Sequence, residues 1–209
     1  LIIHDDASTD GTAEIIKKYK LIYPKIIKTI LQTQNQFSQC TKIPSKLVLS
    51  ACKGDYIVLM DGDDYWIDKF KLSKQVELFK NNKKLVMCYT NAYEEITFMG
   101  VSKKIINIKT KKIASEKIKK NLHEGHFGIY TCTMMFAADF IKKHINSPFF
   151  NMNLISGDWP LAMHASLEGD IEFIEDFTSV YRVNPNSIMN MNIENQIRLI
   201  IEQFVWWDI

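Results

Sequence analysis

Two strand-like runs in this chain end in carboxylates, and that pairing limits the fold more than any other feature. Leu1-Ile2-Ile3-His4 leads into Asp5-Asp6, and Tyr56-Ile57-Val58-Leu59-Met60 leads into Asp61, Asp63 and Asp64. An apolar run without alternation suits a strand covered on both faces, as at the centre of a parallel sheet. After the first run, "DDASTDGT" supplies turn and cap residues, and Ala13, Ile15, Ile16 and Tyr19 then recur at helical spacing up to Pro24. The same reading continues along the chain. It predicts strands over 25–31, 55–60, 85–93, 101–108 and 129–136, and helices over 44–53 (with Ser45 as cap), 68–82, 113–122 and 138–145. A helix over 159–167 stopped by Gly169, strands over 171–174 and 178–183, and a helix over 193–206 complete it. Strands alternating with helices imply a layered α/β sheet.

Size and composition fit such a fold. The 209 residues suffice for one domain with a real core, and 46% apolar against 24% charged residues is a globular balance. A net charge of +2 gives no overall field pointing to a nucleic-acid partner. Lysines gather locally, at 103–104, 109, 111–112, 117 and 119–120, as a solvated face or a basic surface against anionic lipid or phosphate. Cys40, Cys52, Cys88 and Cys132 form no C-x-x-C pair, which favours reduced thiols over a zinc site or a disulfide framework. No run reaches the roughly 18 apolar residues of a membrane span. "HEGHFG", containing His123 and His126, lacks the gap of a zinc-protease helix and reads as a loop or as site lining.

In open α/β sheets ligands bind beyond the carboxyl ends of strands, where both Asp-rich turns fall. Carboxylates converging there repel unless a cation neutralises them, and an all-oxygen set suits a hard ion, Mg²⁺ or Mn²⁺, which also holds phosphates. A calcium loop of the EF-hand type is excluded: counted from Asp61, Trp66 stands where Gly is needed and Leu72 where Glu is needed.

Taken together, "LIIHDDASTDGT", the Asn35 that follows and "ACKGDYIVLMDGDDYW" resemble the nucleotide-sugar half of family 2 glycosyltransferases. "SGDWPLAMHASLEGDIEFIEDFTSVYRVNPNS" extends the resemblance, which covers 1–95 and 129–188. It implies a GT-A fold, a layered α/β/α domain with a mostly parallel central sheet. The division it implies is a nucleotide-sugar-binding half at 1–95, an acceptor-side half at 96–190 and a C-terminal helix at 191–209. It implies that one of Asp5 and Asp6 recognises the base, that Asp61 meets the ribose side, and that Asp63 holds Mn²⁺ or Mg²⁺ on the diphosphate, with Asp64 assisting. Asp158, where the family often has a Glu-Asp pair and this chain has Gly157, becomes the base of an inverting transfer. Arg182, in "YR", helps to arrange the diphosphate side or forms a structural ion pair. Glu175-Asp176 is the lesser alternative for the base. Trp66 is expected beside the metal loop and Trp159 at the acceptor pocket. Family members also begin with a strand and a Pro-containing loop that this chain does not show, so a truncated start is expected.

The function implied is transfer of a sugar from a nucleotide-diphosphate sugar, UDP-type, to a glycan or lipid-linked acceptor in polysaccharide biosynthesis. The location implied is cytoplasmic or peripheral at the inner face of a membrane, with 103–120 or "FVWW" (204–207) touching the bilayer. The Ile, Lys and Asn content is compatible with a bacterium. The alternatives are a nucleotidyltransferase on a related sheet and a nucleotide-sugar-binding module without turnover.

Overall fold

The computed structural model describes residues 1–40, 42–98, 101–106, 129–151 and 157–184. Their elements group into two compact units, one built from 1–54 with 141–151, the other from 55–140 with 157–184. The expected halves, 1–95 and 96–190, divide the chain by task; these units divide it by packing.

In the first unit, β1 (Ile2–Asp5) pairs in parallel with β2 (Lys28–Leu31), and α1 (Thr12–Ile22) makes the crossover. The start of α1 is fixed locally. Gly11 takes the left-handed conformation at φ 87°, and Asp10 Oδ1 accepts the Thr12 N–H at 3.1 Å and its hydroxyl at 2.6 Å. Helix α2 (Lys42–Ala51) packs on β1 and carries Pro44 in its first turn, where no intrahelical N–H bond is lost. Ser45, expected as its cap, lies inside it, because the helix starts earlier than 44.

The second unit holds a six-stranded sheet. Its strands are β3 (Tyr56–Val58), β4 (Tyr65–Trp66), β5 (Leu85–Phe98), β6 (Val101–Ile106), β7 (Met135–Ala137) and β8 (Asp170–Val183). The order is β3-β7-β5-β8-β4, with β6 on β5 beside β7. The expectation of a mostly parallel sheet is corrected here. Among the described strands β1–β2 and β5–β8 are parallel, while β3–β7, β4–β8, β5–β6 and β5–β7 are antiparallel. Among the described strands of this sheet β5–β8 is the one parallel pair, while β6 runs back along β5 from Phe98–Val101 to Tyr93–Ile106.

Helix α3 (Lys71–Asn81) covers this sheet, packing Phe79 with Leu85, Cys88 and Met135, and its Phe79 ring lies 4.8 Å from that of Tyr56. The chain then forms α4 (Ala138–His144), α5 (Pro148–Asn151) and α6 (Asp158–Glu168). Eight consecutive residues of α6, Trp159 to Ser166, are buried, so the helix is enclosed on all sides. Gly169 ends it where the backbone passes close to β5: an added Cβ would meet the Val86 side chain at 2.4 Å and the Lys84 carbonyl at 2.6 Å.

Two further expectations change. The separate strands at 171–174 and 178–183 are one strand, β8, whose register against β5 jumps from Thr90–Ile174 to Asn91–Phe177. The jump leaves Glu175 and Asp176 as a bulge. The strand expected over 129–136 is mostly a 3₁₀ turn, Thr131–Thr133, followed by the short β7. The helices expected at 113–122 and 193–206, and the loop with His123 and His126, lie outside the described residues. All four cysteines are free thiols, and no described helix is long and apolar enough to cross a membrane.

Candidate active site

The apolar β3 delivers the chain to the turn at Asp61–Asp64, closed by the Asp64 N–H donating to the Asp61 carbonyl at 3.2 Å. Strand β4 then locks onto β8 through Tyr65–Val180 and Trp66–Ser179. This pairing brings the carboxylate turn beside Tyr181 and Arg182. Asp64 is buried, and its Oδ1 accepts the backbone N–H of Arg182 at 2.9 Å. Its Oδ2 is also buried and has no N–H or O–H donor among the described residues, only the Cys132 thiol beside it. Burial therefore raises the Asp64 pKa, against the pull of the Arg182 N–H.

Asp61 and Asp63 stay on the solvent side of the turn. Burial, followed by repulsion from Asp158, Asp64 and Asp63, pushes the Asp61 carboxyl up to about 6. The residue still presents surface to water, so its carboxyl is crowded by protein without being sealed from solvent. The coupling to Asp158 matters most for the geometry. Asp158 opens α6, ninety-odd residues later in the chain, and shares one electrostatic neighbourhood with the turn. The Tyr181 phenol reports the same cluster: burial first, then Asp64, Asp63, Asp158 and Asp61, raise its pKa and keep it a proton donor.

The remaining expected residues are placed as follows. The Arg182 side chain donates from Nε to Glu95 Oε2 at 3.0 Å and lies 4.9 Å over the Tyr65 ring, whose hydroxyl donates to Glu95 Oε1 at 3.0 Å. Its structural ion pair is thus present. Trp66 lies next to the turn, with Nε1 donating to the Cys132 carbonyl at 3.0 Å. Trp159 is buried in α6. Asp176 accepts from Lys74 Nζ at 2.5 Å on the bulge of β8.

Asp5 and Asp6 belong to the first unit. Asp6 accepts two backbone N–H groups, from Gln36 at 2.9 Å and Phe37 at 2.8 Å, one on each oxygen. Asp5 is buried, and its Oδ2 accepts the Ser8 N–H at 3.2 Å. Asn35 closes the same loop by accepting the Ser38 N–H at 2.8 Å.

One segment at the site carries no expected function in the sequence, the 3₁₀ turn. Its Cys132 carbonyl accepts from both Trp66 Nε1 and Ser179 Oγ, each at 3.0 Å. Its Thr133 carbonyl accepts from Gln75 Nε2 at 2.9 Å and from the buried Lys71 Nζ at 3.4 Å. Burial lowers the Lys71 amine to about 8, while Nζ donates to Gln75 Oε1 at 2.6 Å and lies 5.1 Å from the Trp66 ring centroid. The available signal was the polar triplet Thr131-Cys132-Thr133 interrupting an otherwise apolar run.

Among the described residues no three His, Cys, Asp or Glu side chains are grouped so as to hold an ion unaided. The donor set nonetheless fits a hard divalent cation, which is commonly held by one or two carboxylates with phosphate oxygens and water in the other positions.

The fold of this mixed sheet, with its acidic turn at the end of an apolar strand, is that of the GT-A glycosyltransferases, as similarity to solved structures shows. Residues 1–143 match the family described as Glycosyl transferase family 2, and the chain belongs to that family. It is 34% identical over 99 residues to the UDP-Glc:alpha-D-GlcNAc-diphosphoundecaprenol beta-1,3-glucosyltransferase WfaP of Escherichia coli, covering 47% of this chain and 36% of that protein. Its fold is similar to that of S. aureus TarS in complex with UDP, with a TM-score of 0.62 at 16% identity over 98% of this chain and 55% of that one. GalNAc-T7 with UDP, GalNAc and Mn²⁺ gives a TM-score of 0.61 at 9% identity over 99% of this chain and 42% of that one. The matched segments span between 25% and 36% of the length of such curated relatives as WfaP and a Mycobacterium tuberculosis protein.

Proposed function

We propose that this glycosyltransferase transfers a sugar with inversion from a UDP-type donor to a glycan or lipid-linked acceptor, with Asp158 as base and a divalent cation at Asp63. The observation that carries the reading is the convergence of Asp61, Asp63, Asp64 and Asp158 from a strand end and a distant helix N-terminus, with Asp61 raised to about 6. Proteins do not gather carboxylates at such a cost without a positive or proton-bearing partner. The similarity to a UDP-Glc-dependent enzyme and to folds that bind UDP, one with Mn²⁺, supports the choice of donor and ion.

In this reading Asp5 or Asp6 faces the base, Asp61 the ribose side, and Arg182 stays by the diphosphate through its backbone tie to Asp64. Asp63, exposed at the tip of the turn, is the ligand. Bound there, Mg²⁺ or Mn²⁺ supplies Lewis-acid stabilisation of the departing nucleoside diphosphate. Asp158 takes the proton of the acceptor hydroxyl as its oxygen bonds to the anomeric carbon, while the bond from that carbon to the diphosphate oxygen breaks on the opposite face. Asp158 lies in the first turn of α6, the end of a helix where its dipole attracts negative charge. A peripheral membrane site would follow from a lipid-linked acceptor.

Calorimetry with UDP, in Mn²⁺ and in chelator, tests the donor half. Binding should require the ion, and Asp63→Ala should weaken it by about 10-fold or more; equal affinity in chelator would remove the metal from the reading. Asp158→Asn should keep UDP affinity and lower transfer by about 100-fold or more, and undiminished transfer would move the base elsewhere.

A further inference from the structure

The Thr131 hydroxyl donates to Asp158 Oδ2 at 3.3 Å, and Thr131 is also close enough to Asp61 to pull its pKa down, against the rise set by burial and the neighbouring carboxylates. Thr131 thus stands between the carboxylate assigned to the donor and the carboxylate assigned to the acceptor. Its place is not incidental. The turn that carries it is held by Trp66 from β4, Ser179 from β8, and Gln75 and Lys71 from α3. The residue before it, Tyr130, stacks on Tyr181 at 4.4 Å with the rings 12° apart, and its hydroxyl donates to Glu94. A β-branched side chain on so constrained a backbone has little rotamer freedom. A hydroxyl also has one proton, so it can donate fully to only one of two carboxylates at a time.

We propose that Thr131 is a positioning residue, whose hydroxyl fixes the Asp158 carboxylate relative to the donor-side Asp61. The inference rests on the reading of Asp158 as the base. Thr131 does not bond to the reacting atoms. It removes the freedom of the Asp158 side chain to rotate away from the acceptor hydroxyl, and an angstrom of misplacement in such a group can cost two orders of magnitude in rate. Thr131→Val keeps shape and removes the hydroxyl, whereas Thr131→Ser keeps the hydroxyl.

The test uses the full chain with Mn²⁺, measuring UDP release from a panel beginning with UDP-glucose, and UDP affinity by calorimetry. Thr131→Val should lower kcat by about 10- to 100-fold with UDP affinity and donor KM within about 2-fold, and Thr131→Ser should restore kcat to within about 3-fold. A merely structural role would move both variants with thermal stability and would not separate kcat from KM. Wild-type rates in Thr131→Val would overturn the proposal. If the unsubstituted protein releases no UDP from any donor, the functional reading fails by itself. The bridge is then decided by a double-mutant cycle on unfolding between Thr131→Val and Asp158→Asn. Non-additive midpoint shifts support the hydroxyl bridge, and additive shifts overturn it.

Discussion

The two Asp-rich turns look alike in sequence and differ in their hydrogen bonding. In the first, Asp6 accepts one backbone N–H on each oxygen and Asp5 accepts another from Ser8, so negative charge is spent on holding its own loop. In the second, the carboxylates crowd one another. Asp64 has one N–H bond and one buried oxygen without such a donor, and Asp61 is crowded by Asp158, Asp64 and Asp63. The first turn is braced by backbone N–H groups of its own unit; the second crowds like charges against one another. Crowding among carboxylates, more than acidity alone, is what points to a cation.

The largest effect on stability should come from breaking the turn braced by N–H groups. Asp6→Ala strands the Gln36 and Phe37 N–H groups, each bonded to a charged acceptor, and should cost about 2 kcal/mol in urea unfolding. Asp63→Ala, at an exposed position in the other turn, should stay within about 0.5 kcal/mol when no divalent ion is present. Equal losses at the two sites would erase the distinction between them.

Much of this contrast is invisible in the sequence. The strand ends, the helices from Thr12 and Asp158, and the acidic residues of the second turn were legible, because each depends on local composition and period. The partners of Asp6 lie 30 and 31 residues away, and nothing in "DDASTDGT" announces them. Strand direction was misjudged for a related reason: alternation of elements says that a chain crosses over, and not where it returns. The 3₁₀ turn at Thr131–Thr133 was read as strand because β-branched and aromatic residues favour both a pleated surface and its margins. Its tertiary bonds to Trp66, Ser179 and Gln75 decide the outcome.

The crowded turn should reveal itself through pH. The Asp61 pKa of about 6 lies above the ordinary 3.8, so the folded protein binds this proton more tightly than the unfolded chain does. The contribution therefore costs nothing well below pH 4, grows as pH rises from about 4 to about 6, and persists above that. Because Asp61 retains solvent contact, screening reduces the penalty to about 1 kcal/mol. Asp61→Asn should thus stabilise the metal-free protein at pH 7 by about that amount and have little effect at pH 4. Adding Mn²⁺ should cancel the gain, since the ion relieves the repulsion in the unsubstituted protein. A gain independent of pH would point to packing instead of charge.

The smallest effect concerns the residues set among the carboxylates, Ala7 after Asp5-Asp6 and Gly62 between Asp61 and Asp63. Ala7 has φ 63°, the left-handed region that costs a residue with a Cβ about 1 kcal/mol, and it is the one non-glycine with positive φ among the described residues. Gly62 has no such φ, and an added Cβ there would meet nothing within 4 Å. Each turn thus carries the residue that would suit the other. Ala7→Gly relieves strain but loosens the unfolded chain, leaving a net gain of a few tenths of a kcal/mol. Gly62→Ala restricts the unfolded chain at no steric cost and should gain about 0.5 kcal/mol. Urea midpoints for both variants and the double substitution decide the matter. Gains that add would show two independent turns. A loss at Gly62→Ala in the presence of Mn²⁺ and UDP, but not in their absence, would show that the second turn changes backbone conformation when it is filled.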